Sequence, residues 1–446
     1  MKLNNFKRGL LVALSISFLL LSCSKNTKYE KTFSDPKLFR QTVKKLSDVM
    51  VDNIFSPSVA SRNYAYSNIA AYEVVAALDS QYISLNGQIN DLKEIPLPDK
   101  KKKYNLGLSA IIAYCKVAES LTFPEGSFKP YTDSLKNLAK VEGMPDELLN
   151  NSVSYGDEVG KAIIDWSKGD NYAQTRSAPK YSVNNEEGRW VPTPPGYIQA
   201  VEPSWGKIRT LAIDSGSQFL LARPPAFNMK DKNSEFYKNA LEVMNVGKNL
   251  TKEQNHIANF WDCNPYAIQM IGHVSIATKK ISPGGHWLNI AGIASEISKA
   301  DFQKTIYSYT FPSIAIFDAF VCAWDEKYRS SVIRPETAIN KYITPDWHPL
   351  LQTPPFPEYP SAHSVISYAG ALALTKIYGD HFSFTDTSEL EFGIPSRTFK
   401  SFITAANEAG ISRLYGGIHY RSGVEEGLVQ GKQIGNYIVN KLKMKK

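Results

Sequence analysis

Apolar positions along this chain recur mostly at helical spacing. Over residues 61–78 they fall at Tyr64, Ile69, Ala70, Val74 and Leu78, close to the three-and-four pattern that lines one helix face. Residues 104–121 and 145–166 repeat the pattern, and Pro145 suits a first helical turn. Beyond Thr251, a fair N-cap with Glu253 close behind it, the same spacing predicts helices over 251–262, 286–298, 302–326, 360–378, 395–410 and 424–442. Strand-like alternation is rare, so the expected fold is all-α, built as two packed helical halves.

One long stretch breaks the period. Residues 169–250 carry Arg189-Trp-Val-Pro-Thr-Pro-Pro195, Pro203-Ser-Trp205 and Arg223-Pro-Pro225. Proline lacks an N–H and fixes φ, so such a segment cannot be one helix. Its tryptophans point to an ordered wrap over a helical body rather than a disordered linker. The wrap divides a helical half over 37–168 from a second over 251–446. A further proline-rich loop runs over 343–359. No internal repeat marks a solenoid.

The N-terminus reads differently. Lys2, Lys7 and Arg8 precede an apolar run over 9–21 that is too short for an ordinary spanning helix, and the run ends Leu20-Leu21-Ser22-Cys23. This resembles a bacterial lipobox. It implies a signal peptide over 1–22, lipidation of Cys23 and a tether over 23–36. The implied place is an exported lipoprotein of a Gram-negative-type bacterium, on the periplasmic face of a membrane or on the outer-membrane surface. No second run of spanning length is expected.

The net charge of +8 is carried by dispersed lysines with no basic helix stripe, which gives no support to a nucleic-acid partner. The run Lys100 to Lys103 reads as a solvated loop. Cys115, Cys263 and Cys322 include no C-x-x-C pair, so three buried thiols are expected. No Cys/His pair has zinc-like spacing, so no zinc site is expected. Nothing in the sequence indicates an oligomeric state.

Chemistry concentrates between Lys327 and His419. Lys327-Tyr-Arg-Ser-Ser-Val-Ile-Arg334-Pro335, Pro360-Ser361-Ala362-His363 and Ser412-Arg413-Leu-Tyr-Gly-Gly-Ile-His419 supply Lys327, Arg334, Arg413, His363, His419 and the Ser361 hydroxyl. A tetrahedral oxyanion needs charge from several directions and directional donors, which Lys and Arg supply. Lys327 and Arg334 are expected on one helix face, two turns apart, with the helix ending or bending at Pro335. Ser361 is expected to open a helix whose first N–H groups favour an anion. His363, in its first turn, is placed for proton transfer. Gly416-Gly417 allow the tight turn that presents a ring nitrogen of His419.

The order K-x6-R-P, P-S-x-H, S-R-x5-H resembles the signature shared by vanadium-dependent haloperoxidases and type-2 phosphatidic acid phosphatases. The resemblance implies that Lys327, Arg334, Ser361, Ala362, Arg413 and His419 hold vanadate or phosphate. It makes His363 the acid–base group and His419 the ligand of vanadium, or in a phosphatase the nucleophile. It makes Lys327 catalytic too, polarising bound peroxide.

Phe260-Trp261-Asp262-Cys-Asn264-Pro265-Tyr266 and Pro283-Gly-Gly-His286-Trp287 resemble segments that precede the site in bacterial haloperoxidases. Matches at Tyr266 and Phe356 imply pocket-lining aromatics, with iodide the first expected halide and bromide the next. The implied partners are hydrogen peroxide, a halide and, through the anchor, a membrane. Two other readings stay open: a soluble acid phosphatase working through a phosphohistidine, and a non-catalytic oxyanion-binding lipoprotein.

Two positions depart from the family pattern. Ala362 stands where glycine is usual. Gly423 stands where an acid usually orients the last histidine, and Glu425, Glu426 or a backbone carbonyl are candidates for that role. Asp262 and Glu358 read equally as pocket, capping or surface acids. His256, His273, His348 and His381 read as structural or surface residues, while His286 is a candidate to approach the pocket.

Overall fold

The computed structural model of the chain describes residues 27–271, 274–277 and 279–446. The expected leader over 1–22, Cys23 and His273 lie outside the described residues. The fold is all-α, with two small antiparallel hairpins among the described residues.

The N-terminal half comprises α1 (Lys28–Thr32), α2 (Pro36–Asp52), α3 (Pro57–Leu78), α4 (Leu106–Leu121), α5 (Lys129–Val141) and α6 (Asp146–Ser167). Side chains of Asp35, Ser56 and Asn105 cap α2, α3 and α4 by accepting first-turn N–H groups. Helix α3 is buried on every face from Pro57 to Val75, which small and apolar side chains permit. Part of the stretch 23–36, expected as a tether, is folded. Helix α1 starts at Lys28, and Tyr29 and Phe33 already join the core.

The wrap holds α7 (Tyr172–Ser177) and a single 3₁₀ turn at Trp205–Lys207. It is tied down chiefly by Asp318, whose buried carboxylate accepts the N–H groups of Leu211, Ala212 and Ile213 at 2.6, 2.7 and 3.0 Å. The wrap also ends earlier than residue 250. Helix α8 (Glu235–Lys248) buries Phe236, Ala240, Val243 and Met244, a helical spacing that the neighbouring prolines obscure.

The C-terminal half continues with α9 (Lys252–Phe260), the pair β1 (Ile268–Ile271) and β2 (Val274–Ala277), α10 (Pro283–Ile297), α11 (Phe302–Ser330), α12 (Pro335–Tyr342) and α13 (Ala362–Tyr378). It closes with β3 (Phe384–Asp386) paired to β4 (Arg397–Phe399), then α14 (Phe402–Tyr415) and α15 (Arg421–Lys441). The helix expected over 395–410 begins only at Phe402, because residues 397–399 pair as a strand and Ser401 is the cap.

Helix α11 is the central element. Its apolar stretch is long enough to cross a membrane, contrary to the sequence expectation, but it is buried throughout. It packs against α3 of the first half and α10, α13 and α15 of the second. Phe39, Val74, Ile111, Phe317, Ile366 and Ala406 therefore belong to one continuous core. The two helical halves share a single interior.

Candidate active site

The oxyanion residues come from four helix ends. Lys327 lies in the last turn of α11, which Ser331 terminates with a left-handed φ of 49°. The chain then turns, and Arg334 is the N-cap of α12 with Pro335 in its first turn. Lys327 and Arg334 thus do not share a helix face, as their seven-residue spacing suggests; the helix breaks between them. Ser361 caps α13, Arg413 is in the last turn of α14, and His419 follows the Gly416-Gly417 turn before α15. Gly417 has a φ of 76°, which an L side chain rarely adopts, so this tight link between two helices needs glycine.

All five of these side chains, with His363, are deeply buried or nearly so, and their donors are only partly used. Arg334 donates from Nε to Phe356 O at 2.9 Å and from Nη1 to Ile418 O at 2.8 Å and His419 Nε2 at 3.1 Å. Its Nη2 has no partner. Arg413 donates from Nη1 to Trp261 O at 2.7 Å, while its Nε has no partner. His363 Nε2 is likewise unpaired. Buried polar atoms normally have partners, so orphaned nitrogens on His363 and Arg413, which border one cavity, and on Arg334, bonded to His419 of the same cavity, point to a missing polyatomic acceptor.

The space itself is a cavity of ≈ 30 Å³ bordered by Tyr266, Trp324, Phe356, His363, Arg413 and His419. A single water needs about 10–15 Å³ on the same measure, so this cavity suits a few-atom group rather than an organic molecule. Ala362 also borders it. Ala362 is the first residue of α13 and is not among the residues with positive φ, so alanine in place of glycine introduces no backbone strain. As the start of the helix, it contributes an amide that has no acceptor within the helix. The Ser361 hydroxyl accepts the Ser364 N–H at 3.4 Å and keeps its own proton to donate.

Lys327 stands behind the cavity wall. Its ammonium donates to the carbonyls of Pro357 and Glu358, each at 3.0 Å, and to that of Pro360. Phe356 lies under both cations, 5.2 Å from Lys327 Nζ and 5.1 Å from the Arg334 guanidinium carbon. Lys327 therefore shapes the loop that carries Phe356 and Ser361.

Electrostatics follow from burial and like charge. Burial, then the neighbouring Arg334, holds Lys327 well below the usual lysine range. Burial also lowers Arg334 to about 10, against the opposing pull of Glu358. His363 and His419 are both held well below the ordinary histidine value, first by burial and then by the surrounding cations. Both rings are thus neutral without an anion.

Glu358 decides which nitrogen of His419 carries the proton. Its Oε1 accepts from His419 Nδ1 at 2.7 Å and from the Tyr420 N–H at 3.2 Å. Nδ1 is therefore the protonated nitrogen, and Nε2 presents its lone pair to Arg334 and the cavity. Burial raises Glu358 to about 7, with Arg334 and Lys327 pulling it down. The missing acid at 423 is explained by space. A Cβ on Gly423 would sit 2.3 Å from Glu358 Oε1, so Gly423 leaves room for an acid arriving from another loop. Neither Glu425 nor Glu426 takes this role.

Two cavity residues escaped the sequence reading. Trp324 lines the cavity and stands one helical turn before Lys327, a spacing that was available as a signal. Cys263 also borders the cavity. Asp262 is buried 3.9 Å from Arg413 and pairs with Lys280. His286 is fully buried, with its ring stacked 4.6 Å from that of Trp261. His348 and His381 are exposed and His256 is half-buried, away from the site.

The donor set fits vanadate. The Arg413 guanidinium and a helix start border one small cavity, Arg334 stands against His419 at its edge, and that neutral imidazole offers a lone pair where a single metal–nitrogen bond can form.

Residues 308–445 match the family model of the VCPO (vanadium chloroperoxidase) second helical-bundle domain. No curated protein matches the chain. Among solved structures, the first bacterial vanadium-dependent iodoperoxidase is 46% identical and superposes with a TM-score of 0.87, over 92% of this chain and 97% of that one. The holo and apo forms of a bacterial vanadium-dependent chloroperoxidase share the fold at 18% identity and a TM-score of 0.65. They cover 87% and 86% of this chain, and 92% and 94% of their own lengths. With an iodoperoxidase so similar along nearly its whole length, this chain belongs to the vanadium-dependent haloperoxidase family.

Proposed function

We propose that the protein oxidises iodide with hydrogen peroxide to hypoiodous acid, using vanadate held by His419 Nε2. The observation that carries this reading is the trio of unpaired buried nitrogens around a neutral, Glu358-oriented His419. Arg334, Arg413, the Ser361 hydroxyl and the Ala362 amide neutralise and orient the oxyanion, and Lys327 adds a third positive charge from behind. When bound, vanadate supplies a Lewis-acidic vanadium(V) centre that activates peroxide without changing oxidation state. His363, unprotonated and facing the cavity, accepts a proton from incoming peroxide at Nε2 and returns it to the departing oxygen. Tyr266, Trp324 and Phe356 wall the space and limit water.

Iodide as the halide rests on the similarity to an iodoperoxidase and on the aromatic wall at Tyr266 and Phe356. The small cavity also disfavours an organic phosphoester as substrate. The lipobox at Ser22-Cys23 supports an exported, lipid-anchored form, tested by the mass of the mature N-terminal peptide from membranes.

The deciding experiment measures iodide, bromide and chloride oxidation by the protein with and without vanadate, beside phosphoester hydrolysis without it. Vanadate-dependent oxidation with iodide fastest is expected. Phosphoester hydrolysis that vanadate inhibits, with no halide oxidation, would overturn the reading.

A further inference from the structure

Outside the oxyanion cavity, one other cluster brings metal-ligating side chains to a common point. Cys263 follows α9, His286 lies in the first turn of α10, and Glu389 sits in the link between β3 and β4. All three are buried. Cys263 Sγ is 3.4 Å from His286 Nδ1 and 3.9 Å from Glu389 Oε1, and that carboxylate oxygen is 3.0 Å from His286 Nδ1. Bond lengths of about 2.0–2.3 Å to a tetrahedral zinc ion place ligand atoms about 3.3–3.6 Å apart. The three observed separations bracket that range.

The far side of the ring is arranged to match. His286 Nε2 lies 2.8 Å from Asp386 Oδ2, the carboxylate-behind-histidine pairing that fixes ring orientation at metal centres. Asp386 is itself held by the Ser388 N–H at 2.9 Å. Trp261 covers one face of the ring at 4.6 Å. Without a metal, the thiol is left with two long hydrogen bonds, to His286 Nδ1 at 3.4 Å and to Glu389 Oε1 at 3.9 Å, on the same two atoms a cation would share with it.

We propose that Cys263, His286 and Glu389 bind a divalent cation of the zinc class, with Asp386 orienting His286. The charges balance locally: a thiolate and a carboxylate offset the dication, and binding releases the Cys263 proton. Spacing along the chain could not show such a site, because its ligands stand 23 and 126 residues apart. The ion acts as a clamp. It fixes the 261–263 segment, whose Trp261 carbonyl holds Arg413 at 2.7 Å and whose Cys263 borders the vanadate cavity.

The test uses the full chain, purified without a metal-binding tag after expression with zinc supplied, then dialysed against chelator. Expected are one retained zinc per chain by elemental analysis and, after exchange with cobalt(II), a thiolate-to-cobalt charge-transfer band with tetrahedral d–d absorption. Cys263→Ser is expected to abolish the band and cut retained metal at least tenfold, with vanadium counted separately. Wild-type protein that retains neither zinc nor cobalt would overturn the proposal and leave a proton between His286 and its carboxylates. So would a cobalt spectrum without thiolate character, or zinc content unchanged in Cys263→Ser. The wild-type readings decide the matter even if the variant does not fold.

Discussion

Two buried arginine clusters in this protein look alike in composition and differ in what they lack. In the first half, Arg62 donates from Nε to Asp170 at 2.6 Å and from Nη2 to Ser167 O at 3.2 Å. Tyr66 donates to the same carboxylate at 3.0 Å, and Arg209 donates to Tyr66 Oη and Trp166 O at 3.1 Å each. Charge meets counter-charge within the chain. In the second half, Arg413 borders a cavity with Arg334 and Lys327 behind it, and the buried acids nearby are committed elsewhere, Glu358 to His419 and Asp262 to Lys280. A buried cation whose counter-ion is encoded in the chain is structural. One whose counter-ion is missing is waiting for a ligand.

The largest expected effect tests the closed cluster. Arg62→Met leaves Asp170 buried without its cation and is expected to cost about 3–5 kcal/mol in urea unfolding. Its vanadate affinity should be unchanged in whatever fraction folds. Arg413→Met should do the reverse. The acid nearest Arg413, Asp262 at 3.9 Å, is already paired with Lys280, so the vanadate-free protein should lose much less stability than Arg62→Met does. Vanadate affinity, read by calorimetry, falls about tenfold to a hundredfold for the loss of charge-assisted bonds worth roughly 1.5–3 kcal/mol. If both variants lose stability equally without vanadate, the distinction between the clusters collapses.

Glu358→Gln sharpens the comparison within the open site. Without a carboxylate to hold the Nδ1 proton, vanadate affinity is expected to fall about tenfold to a hundredfold. Gly423→Ala should reproduce the loss, because its Cβ displaces Glu358 Oε1. An affinity unchanged in both would remove Glu358 from the site.

The smallest effect concerns pH. His363 is held well below its unfolded value by burial and by Arg413, so the unfolded chain binds a proton that the folded vanadate-free protein refuses. Its contribution to stability is therefore present above about pH 6.5 and lost as pH falls below that value. His363→Leu should flatten the dependence of unfolding free energy between pH 6.5 and 5 by up to about 1.4 kcal/mol per pH unit. A steeper slope in the variant would reverse the sign assigned to His363.

Much of this was legible in the chain. Helical period and caps located most helices of both halves, and of the motif residues Ala362, His363, Arg413 and His419 border the cavity while Lys327, Arg334 and Ser361 do not. Errors came where a local signal competed with pairing at a distance. Pro395 reads as a helix start, yet residues 397–399 are claimed by a strand at 384–386. The seven-residue step from Lys327 to Arg334 reads as two helical turns, yet Ser331 breaks the helix and puts Arg334 at the head of the next. Glu358 reads equally as a pocket, capping or surface acid, since nothing local shows that the loop folds back onto His419.

By itself, the sequence determined the element types and the inventory of donors, because helical period, capping and motif spacing are properties of short segments. Only the tertiary structure decided which donors are already spent and which remain open. It showed that the Lys327 ammonium is tied to three carbonyls, while nitrogens of Arg334, Arg413 and His363 are left without partners. It also showed that the acid missing at 423 arrives as Glu358 through the space a glycine leaves, and that Cys263, His286 and Glu389 meet at one point. Burial and hydrogen-bond satisfaction depend on what folds over each atom, and that is fixed only when distant segments pack.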